Sequence, residues 1–266
     1  MRGLLWLEKS SARIAYLTVP RTVNVDQTDE AILDCQYDFS RKLNDFIIVK
    51  WFFNNEHLPI YSWLPNSQTR IFDPHFENFI DKSYRFSADR YQIYRGIRFS
   101  HLHPNLTGFY YCTVSTKEGY FEERKPMTLY RTPHFERFEV QANPHHFNLS
   151  CDVDGIMRPG ELRIYRIDDT HFESLDTDTT LTPRNDRFQT VRAQVRANYS
   201  VPNSRSARSF QFQCTVVYPN TDINITRSHL MTTRNSSSSI YGPPGSFVTS
   251  VGYVLLGLLC VFRYRD

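Results

Sequence analysis

The chain is 266 residues long, and its 20 Phe and 16 Tyr supply apolar mass for real cores. That length accommodates about two domains. The net charge is only +3, with Lys and Arg scattered and no basic stretch alternating with stacking aromatics, so nucleic acid is not expected as a partner.

At the N-terminus, Leu4-Leu5-Trp6-Leu7 stops at Glu8-Lys9. A secretory leader needs an apolar core of about 7–15 residues, so the expectation is a start that lacks the true leader. Residues 12–131 read as the first domain. Ala31, Leu33 and Cys35 point to one face of a strand. Phe46–Phe53 forms the next strand, with Val49 and Trp51 inward. Asn54-Asn55 reads as a turn. Leu58–Trp63 follows as a strand in which Pro59 is tolerated only near an edge. Ile97, Phe99 and Leu102 mark a further strand. Tyr110, Cys112 and Val114 share one face of the run Thr107–Val114, and after the turn at Lys117-Glu118-Gly119 a last strand runs towards Leu129.

Cys35, Trp51, Tyr110 and Cys112, in this order and spacing, are the core pin of an immunoglobulin sandwich. In that fold cysteines on strands B and F bridge the sheets, a strand-C tryptophan packs on the bridge, and a tyrosine two residues before the second cysteine bonds to nearby backbone. Each sheet has one apolar face, which is buried only against the other. The Cys35-to-Cys112 span leaves room for the C′ and C″ strands of a variable-type domain.

Residues 132–233 read as a second domain around Cys151 and Cys214. Its strand F, Phe210–Val216, alternates with period two. Phe212 stands at the tyrosine-corner place, and no tryptophan follows Cys151, so Leu162 or Ile164 has to fill the core slot. The span suits a shorter, constant-like sandwich. The expected fold class is therefore all-β: two immunoglobulin-like β-sandwiches in tandem plus a C-terminal hydrophobic membrane-attachment segment.

Of the five cysteines, the first four pair in sequence order and Cys260 lies in an apolar run. The absence of CxxC argues against a zinc knuckle or a redox site. Long-range pairs of this kind persist in oxidising compartments, and closing the longer loop is worth about 4–5 kcal/mol in the chain-entropy model. N-x-S/T sequons at Asn105, Asn148, Asn198, Asn224 and Asn235 point to the same secretory route. In Phe147-Asn148-Leu149-Ser150-Cys151 the alternation turns Asn148 outward, where a glycan fits.

Residues 234–246 are a polar Ser/Gly/Pro stalk by composition, and Phe247–Phe262 follow without a charge before Arg263-Tyr264-Arg265-Asp266. Two attachments stand. A single-pass helix would have Arg263 and Arg265 as its cytosolic flank, although the run is short for a hydrocarbon core of ~30 Å. A glycolipid-anchor signal would be cleaved near Asn235-Ser236-Ser237, although such tails usually end apolar and this one ends charged. Either way the chain is expected at the extracellular face of the plasma membrane.

His101 and His103 share a strand parity that could clamp a metal, but no third ligand is signalled, and solvated loop histidines are the plainer reading. His145-His146, Asp168-Asp169 and Asp176-Thr177-Asp178 read as loops. No phosphate loop, nucleophile elbow or HExxH occurs. The chain is not expected to be an enzyme, nor to take a cofactor, metal or small-molecule substrate.

Strand parity gives the sharper expectation. With Trp51 inward, Lys50 and Phe52 face out; with Cys112 inward, Tyr111 and Thr113 do likewise. If Ile60 faces the core, Tyr61 and Trp63 also face out. An exposed aromatic cluster of this kind marks a partner-binding face.

The first domain resembles the beaten-path family of arthropod immunoglobulin-superfamily proteins. The residues that carry the likeness are Cys35-x-Tyr37-Asp38, Val49-Lys50-Trp51-Phe52, Tyr61-Ser62-Trp63-Leu64-Pro65 and Gly108-x-Tyr110-x-Cys112-Thr113-Val114-Ser115, within about residues 15–131. Leu106 stands where an acid is usual, so the usual Arg–Asp bridge across the sandwich base is missing, and the second domain lacks its tryptophan. The resemblance implies a neuronal or epithelial surface glycoprotein that binds another immunoglobulin-superfamily ectodomain in trans, in heterophilic cell–cell adhesion or axon guidance. The alternatives are a receptor subunit signalling through a partner, or a secreted or shed binding module.

Overall fold

The structure is a computed structural model that describes residues 12–39, 46–54, 57–117, 119–143, 145–168, 171–201 and 208–233. The leader reading at Leu4–Lys9, the turn residues Asn55 and Glu118, the stalk and hydrophobic segment, Asn235, Ser236, Ser237 and Cys260 lie outside these residues. Among the described residues no helix is long and apolar enough to cross a membrane. The described residues divide into two compact units, 12–132 with Asn185–Gln189, and Pro133–Arg184 with 190–233.

The first unit is built from β1 (Arg13–Thr18), β2 (Thr22–Asn24), β3 (Ala31–Asp38), β4 (Ile47–Phe53), β5 (Tyr61–Leu64), β6 (Thr69–Phe72), β7 (Ile97–Phe99), β8 (Gly108–Thr116) and β9 (Gly119–Tyr130). One sheet has the order β1-β3-β7 and the other β2-β9-β8-β4-β5-β6, with β2 parallel to β9. The six-stranded sheet thus carries the two extra strands of a variable-type sandwich, β5 and β6. Leu33, Cys35 and Tyr37 from β3 meet Val49, Trp51, Tyr110, Cys112 and Val114 across the core, all 2% exposed or less. The Cys35–Cys112 disulfide joins the sheets. Tyr110 closes the expected corner, its hydroxyl donating to the Leu106 carbonyl at 2.6 Å. Leu102 is buried as expected but lies beyond β7 rather than within it.

Residues 73–96 form no strand apart from an isolated bridge at Ile80. Side chains hold this stretch in place. Arg95 makes a two-armed ion pair with Asp34 at 2.7 and 2.8 Å, and Arg98 reaches both Glu30 and Asp81. Leu106, where an acid is usual, is buried as an apolar residue.

The second unit comprises β10 (His134–Ala142), β11 (His146–Ile156), β12 (Glu161–Ile167), β13 (Phe172–Ser174), β14 (Asp178–Pro183), β15 (Val191–Ser200), β16 (Arg208–Val217) and β17 (Asn224–Thr233). Its sheets run β10-β11-β15-β14 and β13-β12-β16-β17. Cys151–Cys214 is the inter-sheet disulfide. Ile164 lies directly opposite Cys214, as Trp51 lies opposite Cys112, so Ile164 takes the tryptophan slot. The smaller side chain leaves volume that aromatics fill: Phe147 packs edge-on against Phe210 and Phe212 at 6.1 and 5.3 Å. The chain is all-β, two immunoglobulin-like sandwiches in tandem.

Candidate partner-binding face

In an antiparallel pair, directly opposed residues point to the same side of the sheet. Lys50 lies opposite Thr113, and Phe52 opposite Tyr111. Since Trp51 and Cys112 are in the core, these four side chains point to the outer face of the six-stranded sheet, as expected. Lys50, Phe52 and Tyr111 are half-buried there, whereas Thr113 is only 1% exposed. Its short side chain is flanked by Lys50 on one paired strand and Glu122 on the other.

Tyr61 and Trp63 correct the expectation. They are 2% and 0% exposed and belong to the core. Tyr61 lies opposite Trp51 and Trp63 opposite Val49, so both share the inward side. The parity argument failed because it counted through Ile60. Ile60 is buried, but it sits in a bend before β5 begins, where alternation does not yet hold. Leu58, expected in the strand, is 72% exposed ahead of that bend. The Tyr61 hydroxyl donates to the Tyr94 carbonyl at 2.7 Å, and burial pushes its phenol well above the ordinary tyrosine range. The Trp63 ring meets Tyr94 edge-on at 5.2 Å. Among the described residues its N–H finds no hydrogen-bond partner of good geometry.

The outer face gains three residues that the sequence reading missed. Ile71 lies opposite Ser62, Phe109 precedes Tyr111 by two, and Tyr120 lies opposite Ser115. Their exposures are 56%, 43% and 61%. Phe109 was recoverable by counting two back from Tyr111; Ile71 and Tyr120 required strand registers that no motif fixes. Charges surround the rings. The Arg124 guanidinium lies 5.7 Å from the Phe109 ring centre, and Tyr120 donates to the Glu122 carboxylate at 2.6 Å. Partial burial, aided by Glu122, pushes the Tyr120 phenol up to about 12. Tyr120 is therefore a neutral hydrogen-bond donor at physiological pH.

His101 and His103 both lie beyond β7. His103 Nδ1 accepts from the Asn105 amide, and His101 Nδ1 lies 3.1 Å from the Ser100 hydroxyl. Among the described residues no group of three or more His, Cys, Asp or Glu is placed to hold a metal ion. Four sequon asparagines are described: Asn105, Asn198 and Asn224 are exposed, and Asn148 is half-buried. Asn148 and Asn198 lie directly opposite each other on β11 and β15.

No family model matches the chain, and no curated protein matches it. Solved structures do. The extracellular portion of mouse CD200RLa is similar over 79% of this chain and 98% of its own, at 16% identity and a TM-score of 0.39. Bovine butyrophilin is similar over 85% of this chain and 98% of its own, at 13% identity and a TM-score of 0.46. A three-domain fragment of titin covers 85% of this chain and 66% of its own, at 13% identity and a TM-score of 0.34. The likeness is one of fold, and what those proteins bind does not carry over to this chain.

Proposed function

We propose that this chain is a cell-surface recognition protein whose first domain, residues 12–131, binds the ectodomain of another immunoglobulin-type receptor. The observation that supports it is that Ile71, Phe109 and Tyr120, all exposed, share the outer face of one sheet with half-buried Phe52 and Tyr111, of which Phe109, Tyr111 and Phe52 are neighbours. Solvent-facing aromatics in a cluster are costly until a partner covers them, and tyrosine and phenylalanine are enriched among interface anchors. Lys50, Arg124 and Glu122 supply charge on the same face. The second domain, residues 132–233, spaces the first from the stalk at 234–246 and the attachment segment at 247–262. The long-range disulfides and the sequons at Asn105, Asn148, Asn198, Asn224 and Asn235 fit an extracellular glycoprotein. Adhesion between cells and axon guidance are the roles that this reading suggests.

The test displays the full chain, behind a working leader, on cells probed with a panel of soluble immunoglobulin-family ectodomains. Tyr120→Asp and Ile71→Asp should abolish binding of the cognate ectodomain while surface display stays unchanged. Equal binding by the displayed variants would rule out this face.

A further inference from the structure

The second unit carries a row with exposed apolar ends, on the outer face of the β13-β12-β16-β17 sheet. Phe172 lies opposite Ile167, Ile167 opposite Gln211, and Gln211 opposite Leu230. Ile164, Phe212 and Met231 are in the core, so this row, of opposite parity, points outward on all four strands. Its two ends, Phe172 and Leu230, are 67% and 64% exposed. Tyr165, one step along β12, stacks on Phe172 at 4.8 Å. At ~4.8 Å between strands the row is about 14 Å long.

Three observations say what covers it. First, the row carries no net charge. The ionised residues at the paired positions of this face are Glu161 and Arg163, which bond to each other at 2.6 Å and lie farther along β12. A partner chosen by charge would need an unbalanced one here; an identical face does not. Second, the outer face of the other sheet bears the opposed sequons Asn148 and Asn198. The sequon on this face, Asn224, begins β17, six residues before Leu230 and about 20 Å away at ~3.4 Å per residue. A glycan there is attached beyond the end of the row. Third, Leu230 is close to Thr233, where β17 ends and the chain continues towards the uncharged run 247–262. Copies anchored through that run present their rows at the same height.

We propose that a second copy of this chain docks on the β13-β12-β16-β17 face, side by side in the same membrane. The inference rests on the membrane-attachment reading and is independent of the first domain's binding face. A two-fold axis parallel to the strands keeps both C-termini on one side and reverses the row. Phe172 then meets Leu230 of the second copy, and Ile167 meets its Gln211. Two packed sheets stay within about 30° of alignment, so the row remains in register. Two rows of side chains make a contact smaller than the ~1,200 Å² of a stable soluble complex. Pairing is therefore weak in dilute solution and populated where the membrane raises the effective concentration.

The test uses the full chain with a working leader, in two differently tagged forms, Phe172→Cys and Leu230→Cys, made in the same cells. Membranes are oxidised mildly and run without reductant, with the unsubstituted chain giving any background through Cys260. The mixed Phe172→Cys/Leu230→Cys dimer should exceed either single-site dimer at least fivefold, while Thr180→Cys on β14 stays at background. Three results would each overturn the proposal: no dimer above background, dominance of the Phe172→Cys homodimer (the antiparallel arrangement), or cross-links to a different protein. Alkaline extraction of the same membranes reports attachment separately. If the chain is washed off, the attachment reading fails and the concentrated chain is cross-linked in solution, where the mixed dimer still decides the docking.

Discussion

The Trp51 indole N–H donates to the Arg95 backbone carbonyl at 3.0 Å, tying the residue that packs on the disulfide to a stretch of chain without a strand partner. Two other core rings do the same to neighbouring carbonyls. Tyr61 donates to Tyr94 at 2.7 Å, and Tyr37 donates to Tyr91. Gln92 returns a bond to the Tyr37 carbonyl at 2.8 Å. The sandwich thus closes this edge with side-chain donors where a strand ladder would otherwise satisfy the backbone.

Trp51→Phe separates this bond from packing. It leaves the Arg95 carbonyl without its indole donor and should cost about 1–3 kcal/mol. Trp51→Ala adds a cavity and should cost about 3–5 kcal/mol. Denaturant unfolding measures both. A Trp51→Phe loss near zero would show that the hydrogen bond contributes nothing.

Tyr61 and Phe52 should behave oppositely although one strand pairing separates them. Tyr61→Phe removes the hydroxyl donor of the half-buried Tyr94 carbonyl and should lower stability by about 1 kcal/mol, with partner binding unchanged at temperatures where the variant is folded. Phe52→Asp, on the outer face, should leave the melting temperature within a few degrees. Its loss of affinity should exceed about 2 kcal/mol if it is an interface hot spot. Thermal melts and binding titrations on the same preparations decide the assignment.

These two residues also mark where sequence reasoning stopped. Cys35, Trp51, Tyr110 and Cys112 were legible because each is fixed by a covalent or steric demand that few other residues meet. Phe52 and Tyr111 followed by parity from those anchors within unbroken strands. Tyr61 and Trp63 did not, because the bend at Ile60 resets the alternation and only the pairing with Val49 and Trp51 restores it. Ile71 was beyond reach for the same reason, one strand further from any anchor. In the second unit the missing tryptophan was plain, and Ile164 as its replacement was one of two candidates. The register opposite Cys214 chooses it.

Tyr110→Phe should cost the first unit about 1–2 kcal/mol by leaving the buried Leu106 carbonyl unpaired. The second unit has Phe212 at that place and depends on no such bond. Indole fluorescence resolves the difference, because Trp6, Trp51 and Trp63 all precede the second unit. The fluorescence transition should shift to lower denaturant, while amide exchange in β11 and β16 should not change. A matching loss of protection in those strands would mean that the two units unfold as one.

Asp152 gives the second unit a dependence on acid whose sign is fixed. The Arg192 guanidinium bonds to its carboxylate through two nitrogens, and Gln194 adds a third contact at 3.0 Å. Those bonds, Arg192 foremost, hold the Asp152 carboxyl below the ordinary aspartate range. Its proton affinity is thus lower folded than unfolded. The stabilisation is present above the unfolded value near 3.9 and disappears as pH falls through the lower folded value. Both side chains are partly open to water, so screening limits the contribution to about 1 kcal/mol. Asp152→Asn should therefore destabilise the second unit by that amount at pH 7 and by a diminishing amount below about pH 4. Amide exchange in β11 and β15, measured at pH 7, 5 and 3, follows it directly. A wild-type-to-variant difference that persists unchanged at pH 3 would mean that the carboxylate's charge is not what stabilises this pair of strands.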